Sequence, residues 1–106
     1  MTSAPKRGRA VRDLMDRMPG GPDVETIARA AEAVEGVRAV EKLRVRRQGL
    51  DYYVDLHVQA DPELSLRDAH TLSGKVKGAI EAAVPEVIGV LIHMEPYEDE
   101  TRTPQP

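Results

Sequence analysis

The chain has 106 residues, the size of one domain. Its 15 basic and 18 acidic residues leave a formal charge of −3, which argues against a general nucleic-acid binder. With no Cys, no Phe, no Trp and only 3 Tyr, disulfide scaffolds, thiolate zinc sites and cysteine nucleophiles are excluded, and platforms for stacking bases are almost absent.

Residues 1–22 read as a basic arm, in which Lys6, Arg7, Arg9, Arg12 and Arg17 outnumber Asp13 and Asp16. The start, Met1 to Arg7, has no apolar region behind it and is not an ordinary secretory signal. Val11, Leu14, Met15 and Met18 fall at i, i+3, i+4 and i+7, which predicts a short amphipathic helix. Pro19-Gly20-Gly21-Pro22 stops it. The arm is either a frayed basic segment or a helix that docks on a partner or a membrane surface.

Residues 23–97 read as the compact domain. Asp23 caps a helix expected to run to about Glu35, with Val24, Ile27, Ala28, Ala31 and Val34 on one stripe and Gly36 as its stop. Val37 to Gln48 is a half-buried strand: Leu43 and Val45 point one way, Lys42, Arg44 and Arg46 the other. Gln48-Gly49 reads as a hairpin turn. In the next strand Tyr52, Val54, Leu56 and Val58 share one face, and Tyr53, Asp55, His57 and Gln59 the other.

Ser65-Leu66-Arg67-Asp68 resembles a capping box and opens a second helix to about Ala83. Leu66, Ala69, Leu72, Ser73, Val76, Ile80 and Ala83 are expected inward. A third strand, Val87 to Glu95, puts Val90, Ile92 and Met94 on one face and Leu91, His93 and Glu95 on the other. Residues 98–106 form an acidic, proline-containing tail expected to be disordered. The order α-β-β-α-β predicts an α+β open-faced sandwich, with two helices on one side of a three-stranded sheet. No apolar run approaches the roughly 20 residues of a membrane span, so no membrane insertion and a cytoplasmic location are expected.

The chemistry concentrates on the sheet face turned away from the helices. His57 and His93 lie on different strands and share that face by parity. Asp55 stands two residues before His57, and Glu95 two residues after His93, so both carboxylates point the same way. If the strands are neighbours, four N/O donors converge, a set suited to Zn²⁺ and other first-row divalent ions. His70, near the start of the second helix, joins them only if that helix start approaches the strand ends. Against this stands the plain alternative that each histidine is merely solvated. Catalytic signals are weak: Ser65 is better explained as a cap, Ser73 has no His at a telling spacing, and Gly20-Gly21 has no strand before it or Lys after it. An enzyme is therefore not expected. The basic strip Arg38, Lys42, Arg44, Arg46 and Arg47 reads as a solvated strand face able to meet the acidic tail or an acidic partner.

A family resemblance rests on a series of short motifs in order. They are Ala10 to Arg17, Val34-Glu35-Gly36-Val37 with Leu43-Arg44-Val45-Arg46, Tyr53 to Val58, Asp61 to His70, and Ile92-His93-Met94-Glu95-Pro96. Together they resemble the cytoplasmic C-terminal domain of cation diffusion facilitator (cation efflux) transporters, over residues 9–97. The resemblance implies a metallochaperone-like (ferredoxin-like) fold and a V-shaped homodimer drawn together by regulatory divalent cations, with zinc the expected ion. By motif it implies His57, His70 and His93 as ligands, with Glu95 where some members have Asp, and Asp55 at a position that binds metal in some members. The six transmembrane helices of such transporters have no counterpart here. Met1 and the Pro-rich tail lead us to expect a stand-alone chain rather than an excised domain. The expected function is a metal-responsive homodimer that closes on binding. The alternatives are a metal-independent protein-interaction module and a soluble zinc buffer or chaperone serving a membrane cation transporter.

Overall fold

The computed structural model describes residues 21–98. The expected helix of the basic arm and residues 99–106 of the acidic tail lie outside the described residues. The elements are α1 (Val24–Glu32), β1 (Ala39–Gln48), β2 (Asp51–Ala60), α2 (Leu66–Ala83) and β3 (Val87–Pro96). The fold is α+β, with both helices packed on one face of a mixed sheet ordered β1-β2-β3.

Helix α1 starts where its cap predicts. The Asp23 carboxylate accepts from the Glu25 backbone N–H at 3.3 Å and from the Thr26 hydroxyl at 2.9 Å. Val24, Ile27, Ala28 and Ala31 are buried. The helix ends at Glu32 rather than near Glu35, because the chain tightens there. Val34 N–H bonds the Ala31 carbonyl and Val37 N–H the Val34 carbonyl, both i to i−3. Gly36 makes the turn at φ +105°. A methyl added at Gly36 would sit 3.3 Å from Leu72 Cδ1. Gly36→Ala therefore meets both a backbone conformation suited to glycine and a packed neighbour. It is expected to lose about 1–3 kcal/mol of stability, read by urea denaturation.

Strands β1 and β2 form an antiparallel hairpin closed by Gly49 and Leu50, with Gln48 opposite Asp51. Gly49 has φ +63° at the first loop position, where II′ hairpin turns use glycine. The register then breaks. Arg44 faces Asp55, but Glu41 faces His57, so Lys42 and Leu43 together oppose Leu56. This is a β-bulge, with Lys42 at a left-handed φ of +53°. The bulge explains how Val40 and Leu43, three residues apart, are both buried. Simple alternation would place them on opposite faces. Lys42, expected to share a regular polar face with Arg44 and Arg46, is instead the extra residue of the bulge.

Helix α2 is capped by Ser65, whose hydroxyl accepts from the Asp68 N–H at 3.0 Å. Leu72, Val76 and Ile80 are its buried residues. Leu66 and Ala83, both expected inward, are exposed, Leu66 at 88%. They are the first and last residues of an 18-residue helix packed beside a nine-residue one, so its ends carry little cover. Strand β3 runs parallel to β2 after the helical crossover. A second irregularity, between Tyr52↔Val87 and Tyr53↔Gly89, leaves Ile88 as an extra, exposed residue. It lets Val87 be buried while Val90, Ile92 and Met94 pack against the core. The core centre is Ile27, Leu43, Val54, Leu56, Val58, Val76 and Ile80.

Candidate metal centre

The pairing register turns the uncovered sheet face into cross-strand rows. One row is Ala39, Gln59 and Glu95; the next is Glu41, His57 and His93; then come Arg44, Asp55 and Leu91, and Arg46, Tyr53 and Gly89. His57 and His93 are thus direct neighbours on parallel strands. Their rings stack with centroids 4.6 Å apart and planes 20° from parallel.

Glu95 reaches back across the row to His57, its carboxylate bonded to the imidazole Nδ1. The hydrogen bond to His57 holds the Glu95 carboxyl below its ordinary value. Partial burial opposes this, while Gln59 and the charges of His57 and Lys42 assist. A carboxylate at neutral pH can only accept, so Nδ1–H donates to it. In the neutral imidazole so bonded, Nε2 is the nitrogen whose lone pair faces away from Glu95 and can take a ligand. This is the carboxylate–histidine arrangement that orients metal-binding imidazoles.

Asp55 lies one row away. Its side chain is about three-tenths exposed, with Oδ1 3.7 Å from Arg46 Nη2. That Oδ1 is buried and accepts no hydrogen bond. An under-satisfied carboxylate oxygen one row from the paired imidazoles offers a further donor of the kind a divalent cation takes. His70 is placed differently. It is exposed on α2, and α2 packs on the Val54, Leu56 and Val58 face, so the sheet separates His70 from His57 and His93. Among the described residues, no three His, Asp or Glu side chains are gathered closely enough to hold an ion. The donors of one protomer therefore come together only pairwise: His57 stacks on His93 and bonds Glu95, Asp55 lies one row away, and His70 is apart.

Three features of the face were not anticipated. An unbroken hairpin register would put Lys42 opposite His57, whereas the bulge puts Glu41 there. Arg46 engages Asp55. Tyr53 lies against Gly89. The last two have a signal in the alternation itself, since Arg46 lies on the polar face of its strand, and Tyr53 and Asp55 on that of theirs. The bulge has none.

A family model described as "Cation efflux protein, cytoplasmic domain" matches residues 19–97. The chain belongs to this cation efflux family. The family is non-enzymatic, and its model, ZT_dimer, is that of a dimerising domain. The domain is similar to Metal tolerance protein C1 of Arabidopsis thaliana, 34% identical over 87 residues, which are 82% of this chain and 18% of that protein. It is 34% identical over 89 residues to the magnetosome protein MamM of Magnetospirillum gryphiswaldense, covering 84% of this chain and 28% of MamM. The chain thus spans less than a third of either relative's length. Solved structures of variant MamM C-terminal domains share the fold. A nickel form superposes with TM-score 0.67 at 31% identity, covering 71% of this chain and 95% of that one. A cadmium form gives 0.67 at 32% identity, covering 71% and 93%. Among the described residues, no helix is long and apolar enough to cross a membrane.

Proposed function

We propose that this domain binds divalent cations, zinc foremost, on its open sheet face, and that it works as a cytoplasmic homodimer whose two copies close on the ion. The observation that carries the reading is the pairing of His57 with His93, with Glu95 orienting His57 and Asp55 holding an unsatisfied oxygen beside them. The nickel and cadmium forms of similar MamM domains support it from outside. The proposed ligands are His57, His93 and Asp55, with Glu95 bonded behind His57 at Nδ1 and His70 serving a separate position on the helix layer. Among the described residues, one protomer gathers fewer than three donors at a point, and in this reading the second copy completes the coordination shell. A metal that binds the closed arrangement better than the open one shifts the population towards it. Such a change suits a regulatory sensor of a membrane cation transporter better than a buffer, which needs only to bind and release.

Solution X-ray scattering on the chelator-stripped protein tests this. Saturating zinc is expected to leave the molecular mass at that of a dimer and to reduce the radius of gyration, reversibly on chelation. A dimer that binds zinc without compaction would point to a buffer. A profile and mass indifferent to zinc would point to a metal-independent interaction module.

A further inference from the structure

The open face already carries a cation of its own. Arg46 Nη2 lies 3.7 Å from Asp55 Oδ1. That buried oxygen accepts no hydrogen bond, so this contact is its compensation. Arg46 is held from its other side as well. Its guanidinium carbon lies 5.6 Å from the centroid of the Tyr53 ring. Tyr53 in turn lies against the backbone of Gly89, where an added Cβ would come within 2.8 Å of Tyr53 Cδ2. Glycine is therefore what lets the ring occupy this place. Gly89, Tyr53 and Arg46 are cross-strand neighbours in one row, and that row directs the guanidinium at the next row's carboxylate. Arg44 provides an internal comparison. It stands directly opposite Asp55 in the register, yet the ion pair to Asp55 comes from Arg46.

We infer that Arg46 is a built-in competitor for the cation at Asp55, positioned by Tyr53 and Gly89, and that a metal ion reaches this carboxylate by displacing it. The inference rests on Asp55 being a ligand, as proposed above. A guanidinium has donors only and cannot ligate a metal. Two cations cannot share one buried oxygen without strong repulsion. Binding at Asp55 therefore breaks the Arg46 ion pair and its contact with Tyr53. In the metal-free protein the same pair offsets the charge of a carboxylate whose Oδ1 is buried and accepts no hydrogen bond. The consequence is a weaker, more readily reversed site, as a sensor needs.

The test is calorimetric titration of the full chain with nickel chloride, comparing the parent with Arg46→Gln, Arg44→Gln and Asp55→Asn. Arg46 is half exposed, so Arg46→Gln should fold as the parent does, checked by its thermal midpoint. Arg46→Gln is expected to bind nickel more tightly, by up to about fivefold, the upper end of what an exposed ion pair carries. Arg44→Gln should tighten binding clearly less, and Asp55→Asn should weaken it. Unchanged or weaker binding by Arg46→Gln, with Asp55→Asn impaired, overturns the inference and leaves the metal site standing. Equal tightening by both arginine variants overturns it too, because the effect is then overall charge. Nickel binding indifferent to Asp55→Asn removes Asp55 from the ligand set and the inference with it.

Discussion

The double variant His57→Ala/His93→Ala is expected to fold like the parent and to lose tight zinc binding. Both side chains belong to the uncovered face, opposite the core residues Val54, Leu56 and Val58. Removing them opens no cavity and costs the fold only the partly exposed His57–Glu95 contact, so the thermal midpoint of the metal-free protein should change little. The effect on zinc should be large. Losing even the outer partners of metal ligands typically weakens binding about 10–100-fold, and two imidazoles removed together should exceed about a hundredfold. Competition titration against a chelator of known affinity measures this. Parent-like affinity in the double variant would show that the ion binds elsewhere.

Leu56→Ala is expected to be strongly destabilising. Leu56 is fully buried. On one side it faces the bulge that brings Leu43 inward, and on the other it pairs with Ile92. Truncation leaves a cavity between the sheet and the helices, worth about 2–5 kcal/mol. A domain of this size has only about 5–15 kcal/mol in total, so a large share of its stability goes. Urea denaturation with an unchanged m-value would report it. Leu66→Ala, at a leucine 88% exposed, should fall within about 0.5 kcal/mol of the parent. Similar losses at both positions would contradict the assignment of the core.

These two residues also show where sequence reading succeeds and where it stops. Parity along β2 and β3 was enough to separate Val54, Leu56 and Val58 from Asp55 and His57, and Ile92 and Met94 from His93 and Glu95. Period-two alternation is strict within a regular strand. That His57 and His93 are neighbours depends on β3 pairing parallel to β2, a tertiary fact that alternation does not carry. Leu66 shares the apolar character of the α2 stripe, but its terminal position leaves it uncovered. The bulge at Lys42 was invisible because no glycine marks it and a lysine adopts the left-handed conformation. Alternation carried through the strand therefore misplaces Lys42. His70 was legible only as a motif residue. The helix layer it occupies, and the sheet between it and the other histidines, follow from how α2 packs.

The claim that metal binds the native open face is tested most directly by thermal unfolding of chelator-stripped protein, with and without zinc in excess over sites. A ligand that binds only the folded state must stabilise it, by about 2.7 kcal/mol when free ligand is 100 times Kd. In a domain of this size the midpoint should rise by roughly ten degrees or more and return when chelator is added. A midpoint that does not move with zinc would contradict metal binding and leave His57, His93 and Glu95 as ordinary residues of a solvated sheet face.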